Sequence, residues 1–72
     1  MPRVLKYRQV VKALHAFGFT EERQKGSHII FKNSKGKITV VPKHGNGEVM
    51  GGTVGKICRD IDVPFDDFER NI

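Results

Sequence analysis

Tyr7, Val10, Val11, Leu14 and Phe17 recur at three- and four-residue spacing, and Gly18 follows immediately. That period puts five apolar side chains on one stripe of a helix running from Lys6 to Phe17, with a glycine where a left-handed residue closes a helix and satisfies its last carbonyls. An oily stripe of this kind must be covered, and the rest of the chain has to supply the cover. His28-Ile29-Ile30-Phe31-Lys32 and Lys37-Ile38-Thr39-Val40-Val41 are rich in β-branched and aromatic residues, and Asn33-Ser34-Lys35-Gly36 between them carries turn chemistry, so the two runs read as a β-hairpin. Alternation along a strand then puts His28, Ile30 and Lys32 on one face and Ile29 and Phe31 on the other.

The mostly polar stretch Phe19 to Lys25 suits a short edge strand whose charges discourage further pairing. After Pro42 the segment from Gly45 to Gly52 reads as an exposed glycine-rich loop. Thr53 is the expected N-cap of a second helix in which Val54, Ile57, Cys58 and Ile61 face the sheet, and Pro64 is expected to start a last helical turn through Phe65 to Arg70. The order is helix, three antiparallel strands, helix, with a short C-terminal helix appended. The expected fold is α+β, with one face of the sheet covered by the helices. Seventy-two residues leave room for one small core, so residues 1–72 are read as a single domain.

Charge is unevenly placed: residues 1–44 carry ten Lys and Arg against two acids, and residues 45–72 carry three against six. A basic first half favours a polyanionic partner, because cations that neutralise phosphates release bound counterions; the alternative is that the charge serves solubility alone. No apolar run approaches the roughly 20 residues that cross a bilayer, and the first residues lack a signal-peptide pattern, so the cytoplasm is the expected compartment, with no membrane partner. Cys58 is the only cysteine, which leaves no internal disulfide and no cysteine-based zinc site. No metal, cofactor or other small molecule is expected. The glycine loop has no Gly-x-x-x-x-Gly-Lys-Ser/Thr, although a helix start at Thr53 can offer free amides to an anion.

Of three histidines, His15 lies inside the first helix, off its main stripe, and reads as a solvent-facing or partly packed side chain. His28 differs, because it opens an otherwise apolar strand directly after Gly26-Ser27, where the chain can turn tightly and leave the imidazole near solvent. An imidazole takes and returns a proton near neutral pH, which suits removal of the 2′-hydroxyl proton of a ribose as that oxygen attacks the adjacent phosphate. An ordinary surface histidine on a strand is the competing reading. Lys43 and His44, at the mouth of the loop, are either phosphate contacts or loop residues exposed to water.

Four strings, in this order and at this spacing within so short a chain, resemble the HicA toxin family of bacterial and archaeal toxin–antitoxin systems. They are Leu14-His15-Ala16-Phe17-Gly18-Phe19, Arg23-Gln24-Lys25-Gly26-Ser27-His28, Ile38-Thr39-Val40-Val41-Pro42-Lys43-His44 and Gly52-Thr53-Val54-Gly55-Lys56-Ile57. The resemblance implies a fold like that of a double-stranded-RNA-binding domain and a metal-independent ribonuclease that cuts messenger RNA and arrests translation. It implies that His28 is the catalytic residue, that Gly26 permits a close backbone approach, and that a HicB-type antitoxin covers the active surface. The RNA-contacting set around His28 is read as Lys25, Gly26, Ser27, Lys32, Lys43 and His44. Many relatives carry a second histidine after the motif histidine, where this chain has Ile29; His44, Lys43, Lys25 or water is left to protonate the leaving oxygen. The alternative function is a noncatalytic double-stranded-RNA-binding module, which reads shape and backbone and does not need His28.

Overall fold

The computed structural model describes all 72 residues. In chain order the elements are β1 (Leu5–Lys6), α1 (Tyr7–Ala16), β2 (Thr20–Lys25), β3 (His28–Lys32), β4 (Ile38–Pro42), β5 (Glu48–Val49), α2 (Gly51–Ile61) and α3 (Phe65–Glu69). Strands β2, β3 and β4 form an antiparallel sheet in that spatial order, and β1 pairs with β5 in a separate two-residue ladder. The helix, three-stranded sheet and following helices match the expected α+β layout.

Helix α1 ends as its sequence dictates. Gly18 adopts φ +85°, its amide bonds to the His15 carbonyl at 3.0 Å and the Phe19 amide reaches back to Leu14 at 2.9 Å, so the loose carbonyls of the last turn are satisfied. At its start the Gln9 side chain accepts a hydrogen bond from the Lys6 amide at 2.8 Å. Val10, Ala13 and Leu14 are buried, and they pack with Ile29, Phe31 and Val41 of the sheet and with Val54, Ile57, Cys58 and Ile61 of α2 in one cluster of 14 residues.

The strands alternate as expected. Ile29, Phe31, Thr39 and Val41 point inward and are buried, while His28, Lys32, Ile38 and Val40 are exposed on the outer face. Ile30 lies on that outer face, yet it is buried outside the core cluster. Thr39 is the one buried polar side chain, and its hydroxyl donates to Asp60 Oδ2 at 3.1 Å, which ties β4 to α2 without leaving an unsatisfied group. All six residues of β2 are exposed, and a register shift at Glu22 breaks its ladder, so the outer margin of the sheet is charged and irregular.

The glycine-rich segment differs from expectation. Gly51, Gly52 and Thr53 are helical, and the extended residue that opens α2 is Met50, not Thr53; the Val54 amide donates to the Met50 carbonyl at 2.9 Å. The reason lies in packing. A Cβ on Gly51 would stand 3.4 Å from the backbone of Pro2 and Arg3, and one on Gly55 would stand 3.3 Å from Pro2 Cγ, so these glycines let the start of the chain lie across α2. Glycine is spent here on close approach rather than on flexibility. At the other end Asp62 takes the left-handed conformation, φ 59°, and the Val63 amide closes back on Cys58 at 3.0 Å.

Candidate active site and nucleic-acid surface

His28 is placed by the turn that precedes it. Lys25 faces His28 in the β2–β3 ladder, which leaves a two-residue connection, Gly26-Ser27. Gly26 has φ +60° and Ser27 does not share the positive φ, the pattern of a type II′ turn, whose twist matches that of the strands it joins. The Gln24 side-chain amide donates to the Gly26 carbonyl at 2.9 Å and stiffens the turn. Nothing of the chain itself lies within 4 Å of an added Cβ on Gly26, so within the fold the glycine answers to its positive φ, and its surface is open. The turn delivers His28 to the first position of β3, exposed and on the outer face.

The far side of His28 is β4, where its register partner is Pro42. One residue on, the Lys43 amide donates to the Ser27 carbonyl at 2.6 Å. Thus Lys25, Gly26, Ser27, His28, Lys43 and His44 converge at one end of the sheet. Lys32 does not join them: it sits at the opposite end of β3, four residues and roughly 13 Å along the strand, and its ammonium is paired with Glu22 at 3.3 Å.

Sequence reasoning missed the other wall of this region. Lys6, Tyr7 and Arg8, at the start of α1, face Lys43, His44 and the loop to Gly47 across a cleft of about 370 Å³. Lys43 Nζ lies 5.3 Å from the centre of the Tyr7 ring, within reach of its negative face. Burial, and to a lesser degree the negative charge of Glu21, hold the Tyr7 hydroxyl protonated above its ordinary range. The basic-aromatic-basic run Lys6-Tyr7-Arg8 was the available signal. Its distance from residues 43–47 depends on the β1–β5 ladder, which is too short to show periodicity.

His15 has a structural partner: its Nε2 lies 2.7 Å from Glu21 Oε1, linking α1 to β2, and this hydrogen bond, followed by one from the Glu21 backbone, holds the Glu21 carboxyl below its usual range. Its ring is tilted against Phe31 at 6.3 Å. The Cys58 thiol is buried, which pushes its ionisation up and makes it a poor nucleophile. Nowhere do three His, Cys, Asp or Glu side chains converge as metal ligands would.

The profile of a toxin family, described as the HicA toxin of bacterial toxin–antitoxin systems, matches residues 7–63, well over half of the chain. The chain belongs to the HicA toxin family. A search of curated proteins returns no match. The HicA match spans both walls of the cleft from Tyr7 onward, the turn before His28 and all of α2, and it ends before α3. Membership makes this HicA chain the toxin of a toxin–antitoxin system and implies an antitoxin partner. No helix is long and apolar enough to cross a membrane.

Proposed function

We propose that this HicA toxin is a metal-independent endoribonuclease of the cytoplasm that cuts messenger RNA with His28 as its proton acceptor. The observation that carries the reading is the exposed imidazole at the head of β3, held by a two-residue turn and bordered by Lys25 and the Lys43–His44 segment. In this mechanism His28 takes the 2′-hydroxyl proton, the ribose oxygen bonds to the adjacent phosphorus, and the bond from phosphorus to the 5′-oxygen of the next nucleotide breaks. The products are a 2′,3′-cyclic phosphate and a 5′-hydroxyl end. Lys43 and His44, on the segment bonded to the His28 turn, supply candidate groups for the leaving-oxygen proton. Lysines beside a pentacovalent phosphate also offset its developing charge.

The same basic surface suits capture by an acidic face of a HicB-type antitoxin, which would block RNA by occupying it. The deciding experiment compares wild type and His28→Ala on a defined single-stranded RNA in EDTA. Cleavage by wild type alone, ending in cyclic phosphate, supports the proposal. Equal cleavage by the two proteins removes His28 from the mechanism, and tight binding of duplex RNA by both without cleavage replaces the nuclease with a binding module.

A further inference from the structure

We propose that the cleft between the start of α1 and the β4–β5 loop is a second phosphate subsite, one that grips an uncut phosphodiester of the RNA whose neighbouring linkage lies at His28. This deepens the ribonuclease reading and rests on it.

The walls of the cleft are fixed to each other. The Tyr7 amide donates to the Gly47 carbonyl at 2.7 Å, and Leu5 and Lys6 pair in register with Val49 and Glu48. The loop is further shaped by Asn46, whose side chain accepts from the Glu48 amide at 3.0 Å. The resulting space, about 370 Å³, falls at the small end of ligand clefts.

Its lining carries positive charge and no carboxylate. Arg8 and Lys43 are exposed and free of ion pairs, in contrast to Arg3, Lys32, Lys37, Lys56 and Arg70, each of which has an acidic partner. Lys6 is only loosely matched by Glu48, at 3.9 Å. Cations from two separate parts of the chain therefore face one concave space without local compensation, which suits an incoming anion. Arg8 offers a planar fork of donors matched to phosphate oxygens, and Lys43, resting over the Tyr7 ring, offers a point charge. The Tyr7 hydroxyl, kept protonated, can serve only as a neutral donor or acceptor.

The bond between Lys43 and Ser27 holds a residue that lines the cleft against the turn that carries His28. A strand laid with one linkage at the imidazole can thus drop a neighbouring phosphate into the cleft. Such a contact positions the chain without reading its bases.

The test separates this subsite from the chemistry. In a His28→Ala background, where RNA stays intact, affinity for a labelled single-stranded RNA is measured by anisotropy across a salt series. Arg8→Gln is expected to weaken binding about tenfold and to flatten the logarithmic salt slope by about 0.7, the value for one phosphate of a single strand. Lys35→Gln, which removes the same charge from the turn at the opposite end of the sheet, controls for net charge and is expected to leave both unchanged. In the His28 protein, Arg8→Gln should raise KM and spare kcat. If Arg8→Gln and Lys43→Gln bind RNA with the parent affinity and slope, the subsite does not exist, even where wild type cleaves. If those substitutions weaken only antitoxin binding, the cleft is a protein contact and the proposal is overturned. Absence of cleavage by wild type, with the binding differences intact, overturns the ribonuclease reading instead.

Discussion

The backbone amide of Lys43 donates to the carbonyl of Ser27 at 2.6 Å, so the residue that precedes the motif histidine and the residue that opens the basic loop are held by one hydrogen bond. Lys43→Pro deletes that donor, while Lys43→Gln keeps it and removes only the charge. The lost bond is expected to cost about 1 kcal/mol of stability. In the proposed nuclease, Lys43→Pro should lower cleavage more than Lys43→Gln does, because loop and turn then move apart. Denaturant melts and initial cleavage rates of the two variants, side by side, check this.

His28→Ala should cut RNA cleavage by about 10²–10⁴-fold, the usual contribution of a positioned proton acceptor. Since the side chain is exposed and makes no side-chain hydrogen bond, stability should stay within about 0.5 kcal/mol of wild type. Growth of cells expressing the two forms gives an independent readout: arrest with wild type and none with the variant.

Gly26→Ala tests the turn. With φ +60° and open space around the missing Cβ, the substitution is strained but not crowded, and it should cost about 1–2 kcal/mol. A D-alanine introduced at this position by chemical synthesis fits a positive φ and should restore both the melting midpoint and any cleavage that Gly26→Ala loses. Failure of the D-residue to rescue would show that space, not conformation, selects glycine there.

Tyr7 is the only tyrosine, so its phenolate absorbance titrates alone. The midpoint should lie above 10.0, the ordinary value, because burial disfavours the anion and Glu21 repels it. The folded chain keeps this proton to a higher pH than the unfolded chain does. The corresponding stability is therefore complete below the ordinary tyrosine range and is lost as pH rises through the folded midpoint. Glu21→Gln removes the smaller cause and should lower the midpoint without returning it to the ordinary value.

Phe68 is fully buried although it sits on the five-residue α3, beyond the stretch that matches the family. Phe68→Ala should cost about 3–5 kcal/mol, enough to unfold much of so small a domain, whereas Phe65→Ala, partly exposed, should cost less. Urea melts of the two variants order them.

Much of this architecture was legible because strong periodicity is written in contiguous residues. The stripe of α1, the glycine that ends it and the alternation of β3 all survive in the structure, since local preference and burial agree there. Gly51 to Thr53 misled because glycine has two uses, loose loops and close contacts. Only the position of Pro2, some fifty residues away, reveals the second use. The His28 region was readable as a motif, but the cleft was not: its walls come from both sides of the sheet sequence and meet through two paired residues at each end of a long connection. Lys32 lies apart from the other residues of the set, at the far end of β3, because sharing a strand face says nothing about which end of the strand a residue occupies.

That short β1–β5 ladder has a bearing on when the toxin comes into being. Leu5 precedes both sheet hairpins in the chain, and its partner Val49 emerges only after they are complete. A nascent chain can build its helix and hairpins early, yet its basic groove stays unassembled until Glu48 and Val49 have emerged. The groove is thus completed later in synthesis than the hairpin that carries His28.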